Sequence, residues 1–228
     1  MRCLTRERFS AWCEELGGDR VVMVVTACYA VETRWMRCRD RVRFVRTSVG
    51  EGAAEVLDGI SGERIDLLLS TGFCGASEAR LHRGDLVLAE RVLHRGEHVL
   101  LDRALVRRAQ EILTEAGFEA TVGTVASSAT VADRASKDRF RQQGALSVDM
   151  ESGPLSCWAD ARRIPFLSLR GVLDEAGDHV PFSPQSSLVR SVLSHPLAAW
   201  RAGRWASRAG RTLGGALDAL VLALEERS

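Results

Sequence analysis

Runs of branched apolar residues recur along this chain, each followed by a stretch of helical spacing or by a polar turn. Val21-Val22-Met23-Val24-Val25 has no polar interruption, which predicts a strand buried on both faces. Ile65 to Ser70 predicts a second buried strand stopping at Gly72, and Ile164 to Leu173 a third. Val42 to Arg46, Leu86 to Val92, Ala120 to Ala126 and residues 146–149 predict shorter strands. Helices are expected over residues 4–17, from Thr26 to Cys38 after a turn, and from a glycine turn at Gly50 to about Ile60. Asp102 to Gly117 carries apolar residues at 105, 109, 112 and 113 and a closing glycine, a complete amphipathic helix. Ser136 to Gln143 and most of Pro184 to Glu226, divided at Pro196, complete the helical set. Strands alternating with helices predict an α/β protein whose mixed sheet is wrapped by helices.

The 228 residues show no Pro/Ser/Gly-rich linker, so one domain over 1–228 is expected, and 46% apolar residues can fill a sizeable core. A net charge of +1 gives no general attraction to nucleic acid or acidic membranes. Lys137 is the only lysine in a chain rich in arginine. Six cysteines (3, 13, 28, 38, 74, 157) show no metal or redox spacing, and five histidines (82, 94, 98, 179, 195) no ligand spacing; the histidines are expected on the surface or in loops. A charged N-terminus and the lack of any membrane-length apolar run predict a cytoplasmic protein without metal.

The candidate chemistry lies in Val148-Asp149-Met150-Glu151-Ser152 and in Leu167-Ser168-Leu169-Arg170-Gly171-Val172-Leu173-Asp174. Glu151 follows one apolar run and opens a helix; Asp174 ends another run. Read as a β-α-β unit, residues 146–149 and 165–172 would bring both carboxylates to the carboxyl edge of a parallel sheet, where open α/β folds bind ligands. One carboxylate gripping sugar hydroxyls and another protonating a leaving group are what N-glycoside cleavage needs.

These segments resemble the C-terminal signature of the nucleoside phosphorylase and nucleosidase superfamily. Leu69-Ser70-Thr71-Gly72-Phe73-Cys74-Gly75-Ala76, followed by Arg83-Gly84-Asp85-Leu86-Val87-Leu88, is similar to its central motif. The resemblance implies a three-layer α/β/α sandwich, a homo-oligomer, and cleavage of a purine nucleoside or 5′-substituted adenosine. It implies no organic cofactor, with phosphate or water as the attacking group. Asp174 takes the role of the acid, against a competing role as a helix cap. Glu151 would clamp the ribose and Met150 pack beneath it; a first-turn glutamate facing the helix dipole and plain core filling are the alternatives.

Glu32 stands where the nucleosidase branch places a glutamate that activates water. Glu32-x-Arg34 also resembles the hopanoid-associated phosphorylases, and Arg34 would suit phosphate. Gly50-x-Gly52 and Gly72-x-x-Gly75 resemble the family's two glycine turns, candidates for contacting phosphate. Phe73, Cys74 and Gly75 would line the substrate, although Phe73 and Cys74 replace smaller or hydroxylated residues. Ser127-Ser128-Ala129-Thr130 replaces a serine-aspartate pair. The tail from Leu193 to Trp200, then Trp205, Ala206, Ala209 and Leu213, resembles the hopanoid-associated group, whose substrate is an adenosylated triterpenoid. That tail would line an apolar channel, touch a membrane, or simply pack on the core. The competing function is a non-catalytic nucleoside-binding protein on the same fold.

Overall fold

The computed structural model describes residues 22–178 and 196–225, with side chains omitted at 196–203. The expected helix at 4–17 and the tail from Pro184 to His195 lie outside the described residues. Eight strands form one sheet: β1 (Met23–Ala27), β2 (Arg43–Arg46), β3 (Leu67–Ala76), β4 (Leu86–His94), β5 (Glu97–Leu100), β6 (Ala120–Ser127), β7 (Ala145–Asp149) and β8 (Phe166–Asp174). The helices are α1 (Ala30–Thr33), α2 (Gly52–Asp58), α3 (Arg103–Glu115), α4 (Arg134–Gln142), α5 (Ser152–Arg162) and α6 (Pro196–Glu225), with a 3₁₀ turn at Arg39–Arg41. The mixed sheet and its flanking helices match the expected class.

The sheet folds back on itself. β3 pairs with β7, β7 with β6, β6 with β4, β4 with β8, and β8 with β3, a closed ring of five strands. β1 and β2 extend one side of β3. The expected parallel β-α-β unit is not formed: β3 runs parallel to β8 but antiparallel to β7. The ends of β7 and β8 meet because the ring closes, with Gly75 paired to both Val148 and Asp174.

Three other expectations change. Gly72 and Gly75 lie within β3, which runs on to Ala76 with an irregularity between Cys74 and Gly75; they are not a turn. The helix expected from Thr26 to Cys38 is a single turn, because Trp35 and Met36 leave it to dock on α6. Between the expected strand Leu86 to Val92 and the helix from Asp102, the chain forms a β4–β5 hairpin, closed by Arg95 and Gly96 at φ 52° and 82°, the left-handed pair of a tight primed turn. A Cβ on Gly153 would overlap the His94 ring, so this histidine packs inside the fold and not on its surface.

One large apolar core joins the faces of β1, β3, β4 and β8 to α3, α5 and α6. α6 is central to it. Ala209, Leu213, Ala216, Leu217, Leu220, Val221 and Leu224 form its buried stripe at helical spacing. For the described tail, core packing is the outcome, and no described helix is long and apolar enough to cross a membrane. Gly210 and Gly214 let the chain around α1 approach closely. A Cβ on Gly214 would lie 2.7 Å from the Trp35 carbonyl carbon and 2.9 Å from the Met36 nitrogen. Asp218 then accepts hydrogen bonds from the amides of Arg37 (2.8 Å) and Cys38 (2.9 Å). α6 thereby fixes the short helix that carries Glu32.

Gly214→Ala forces backbone, not a flexible side chain, to move. It is expected to destabilise the protein by about 1–3 kcal/mol, the usual scale for overpacking, read as a lowered urea midpoint with unchanged slope. An unchanged midpoint would show that α1 does not depend on this contact.

Candidate active site

The buried strand β8 carries an arginine. Arg170 is 1% exposed, and its Nε lies 2.7 Å from Asp149 Oδ2. Ser152 Oγ accepts from its Nε (3.2 Å) and Nη2 (3.0 Å), and Ser70 Oγ accepts from Nη2. Asp149 in turn accepts from the Ser152 amide at 3.2 Å and from its hydroxyl. A guanidinium stripped of water is tolerable only with a charge partner and hydrogen-bond acceptors of this kind. The network ties the end of β7, the start of α5, and the middles of β3 and β8 into one rigid floor.

Glu32 stands over this floor. Helix α1 turns it inward, 4% exposed, and its Oε2 accepts from the Tyr29 amide at 2.8 Å. Its Oε1 accepts from the Phe73 amide at 3.0 Å. Gly72 makes this possible: at φ 153°, a Cβ there would lie 2.7 Å from Arg170 Nη1 and 2.8 Å from Glu32 Oε1. Burial raises the Glu32 carboxyl above the usual range, against the Tyr29 and Phe73 amides and the Arg170 charge.

Glu151 faces the same space from the start of α5, and the Gly50 amide lies 3.5 Å from its Oε1. Gly50 has φ 68°, the left-handed conformation that glycine adopts without strain. Burial, then the nearby Asp149 charge, pushes the Glu151 carboxyl up to about 7, with Arg170 opposing. Cys28 also borders Glu151; burial and the Glu151 charge push its thiol up to about 12.

Asp174 occupies the other end, past Gly75. It is paired with Lys137 from α4, and the Lys137 Nζ also donates to the Glu175 carbonyl at 2.9 Å. Burial raises the Asp174 carboxyl, and Lys137 opposes the rise. Gly72 and Gly75 are three residues apart on one strand, which separates the two ends by ~10 Å at the usual strand rise. That is the length scale of a nucleoside, with Glu151 towards the Glu32 end.

Glu32, Glu151, Gly50, Gly72 and the Phe73 backbone therefore gather at one end, and Asp174 and Gly75 at the other. Met150 is half-buried in the connection between β7 and α5. Cys74 is 4% exposed and belongs to the apolar core; burial pushes its thiol up to about 12, so it is an inert neutral group at ordinary pH. Arg34 is not brought in. Residues two apart on a helix face opposite ways, so an inward Glu32 sends Arg34 out. Arg34 is exposed, its guanidinium 5.5 Å from the centroid of the Trp35 ring. The sequence reading gave no role to Arg170, Asp149, Ser152 or Lys137. An arginine inside the apolar Ile164–Leu173 run and a lone lysine were the available signals.

The mixed sheet and its flanking helices are an α/β fold that sets carboxylates at both ends of the Gly72–Gly75 strip. Residues 8–195 match the model of the phosphorylase superfamily, and the chain belongs to that family. No curated protein matches it by sequence. Among solved structures, it is similar to a methylthioadenosine nucleosidase from Weissella paramesenteroides, assigned as putative, with 16% identity and TM-score 0.69 over 90% of this chain and 99% of that one. A Campylobacter jejuni 5′-methylthioadenosine/S-adenosyl homocysteine nucleosidase shares 16% identity at TM-score 0.68, with 90% and 99% covered. The Helicobacter pylori futalosine hydrolase shares 12% at TM-score 0.70, with 89% and 98% covered.

The raised Glu151 carboxyl has a stability consequence. Its folded value, about 7, exceeds its ordinary 4.5, so its contribution is fully present below about 4.5 and is lost as pH rises through about 7. Glu151→Gln should melt ~2–4 °C above the wild type at pH 8 and close to it at pH 5. Parallel melting curves at both pH values would mean that Glu151 ionises without penalty.

Proposed function

We propose that the protein hydrolyses the N-glycosidic bond of a purine nucleoside, with 5′-substituted adenosines as the substrate class. The observation that supports this best is the placement of Glu32 and Asp174 at opposite ends of the Gly72–Gly75 strip, with Glu151 beside the first. Asp174 supplies a proton to a ring nitrogen of the base as the bond to C1′ breaks. The bonding pair leaves with the base, and the sugar develops oxocarbenium character. Glu151 accepts from the vicinal ribose hydroxyls and its negative charge favours that cation. A water attacks C1′ and gives its proton to Glu32, whose burial makes it a stronger base than an exposed carboxylate. The step uses no metal or organic cofactor.

Water is favoured over phosphate as the attacking group. Glu32 would repel a phosphate dianion, and the outward Arg34 does not offset that repulsion. The solved structures of similar fold, two nucleosidases and a hydrolase by their descriptions, agree with this choice. The adenosylated-triterpenoid expectation rests largely on Leu193 to Trp200, whose side chains lie outside the described residues; it remains one arm of the substrate panel.

The test is base release from adenosines with different 5′ substituents, with and without phosphate. Free adenine and free sugar at a phosphate-independent rate are expected. Ribose 1-phosphate formed only when phosphate is added would replace hydrolysis with phosphorolysis. Binding without any base release would make the protein a nucleoside binder. Glu32→Gln and Asp174→Asn should each lower kcat by ~10²–10⁴ while the fold is kept; a full rate in either would remove that residue from the chemistry.

A further inference from the structure

Lys137 is buried in a place where stability does not explain it. It is the chain's only lysine and is 2% exposed. Its ammonium is held by Asp174 Oδ2 and by the Glu175 carbonyl, with no room for solvent. The fold is shaped around this contact. A Cβ on Gly75 would lie 3.0 Å from Lys137 Cε and 2.9 Å from Asp174 Oδ2, so the pair closes only because that strand position has no side chain. Buried ion pairs are commonly no more stabilising than apolar residues of the same size. A lysine, a glycine and an aspartate on three separate elements have thus been committed to a contact with little net energetic return.

The residue type matters as much as the position. Nearly every basic residue here is arginine, which does not release its proton in proteins, whereas a lysine ammonium in a shielded site can. Asp174 is the exposed member of the pair, with its side chain 22% accessible against 2% for Lys137. The carboxylate therefore stands between a sealed ammonium and the open side.

We propose that Lys137 is the positioning residue of Asp174 and the source of the proton that Asp174 passes to the departing base, making the acid a lysine–aspartate pair. This rests on the hydrolytic reading above. In the step, an Nζ–H bond breaks as the carboxylate takes up that proton, and the carboxyl group protonates the ring nitrogen that gains the C1′–N electron pair. The pair ends as a neutral amine beside a carboxylate, with a neutral base. After product release, a proton from solvent returns to the amine through the Asp174 carboxyl, the more accessible member of the pair.

Among the described residues, the charges around Asp174 come from a few side chains. Lys137 faces it from α4, Cys74 from β3, and Arg83, Glu175 and Asp178 from the loops beside it. Arg83 is engaged with Glu175 at 3.1 Å and with Asp178, and lies over the Trp205 ring at 4.0 Å. Burial raises the Asp174 carboxyl and Lys137 opposes this, so removing the ammonium raises it further.

The experiment measures kcat and KM against pH for the wild type, Lys137→Met and Lys137→Arg. Lys137→Met leaves the Asp174 carboxylate without its partner, so its melting temperature should fall at pH 8 and approach the wild type as pH is lowered and Asp174 is protonated, while KM stays within about threefold. Its kcat should fall by ~10²–10³ at pH 8, on the scale of general acid catalysis, and recover towards the wild type as pH is lowered and Asp174 is protonated from solvent. Lys137→Arg keeps the charge but holds its proton, so its kcat at pH 8 should stay low. A Lys137→Met profile parallel to the wild type would reduce Lys137 to a structural residue. Full rescue by Lys137→Arg would leave charge alone as its role. Either result sinks this inference with hydrolysis intact, whereas a wild type that releases no base from any nucleoside fails the hydrolytic reading itself. If Lys137→Arg does not fold, the Lys137→Met profile still decides.

Discussion

The buried guanidinium of Arg170 is the interaction on which the site depends. It lies in the middle of a strand whose neighbours are fully buried, at 1% exposure, and cannot be neutralised. Asp149 balances its charge, and Ser70 and Ser152 accept from its Nη2. With that pairing in place, Glu32 and Glu151 are carboxylates beyond what one guanidinium can offset. Both are pushed above their ordinary range with burial as the leading cause, and Glu151 also feels Asp149. The excess acid is destabilising in the empty protein. Carboxyl groups held above their ordinary range at the expense of stability are the usual mark of a functional site.

Geometry follows from the way the sheet closes. Had β7 and β8 been parallel neighbours, Glu151 and Asp174 would have emerged side by side at one edge. Because β7 runs against β3, the chain leaving Asp149 turns back along β3 towards Gly72 and Glu32, while β8 continues with β3 to Asp174. The two acidic centres are thereby drawn to opposite ends of a short strip. Two glycines without Cβ atoms make the strip passable, Gly72 for Glu32 and Arg170, Gly75 for Lys137 and Asp174. α6 contributes at a distance, since its own glycines seat the segment that keeps Glu32 turned inward.

Much of this was readable from residues alone. Strand cores such as Val24 and Leu67 to Leu69 announced themselves by unbroken apolar runs, and Glu32, Glu151 and Asp174 by motif order. What failed did so for local physical reasons. Glycines at 72 and 75 read as a turn, because glycine's ordinary use is conformational; here it makes space for side chains from other strands. Arg34 looked like a partner of Glu32 because it is near in sequence, yet helical geometry sends the two apart. Lys137 sits in a helix so polar that nothing in its neighbours signals burial, since what buries it is the β3–β8 pairing far away in sequence. Arg170 was in plain view inside an apolar run, but its partners Ser70 and Asp149 come from strands that only the closed ring brings together.

The two buried cations divide the electrostatic work. Arg170 has a planar fork of donors suited to holding Asp149 and two serines in fixed directions, and its permanent charge offers no proton to be lost when a carboxylate nearby changes state. Lys137 has a compact ammonium suited to one carboxylate and one carbonyl. Exchanging their types would alter both: a lysine at 170 could not span Asp149, Ser152 and Ser70, and an arginine at 137 would bring a larger planar head to a site closed around an ammonium. In a chain that otherwise uses arginine throughout, a single lysine stands against Asp174 and an arginine against Asp149, Glu32 and Glu151, so a compact charge meets one carboxylate and a fixed fork anchors several.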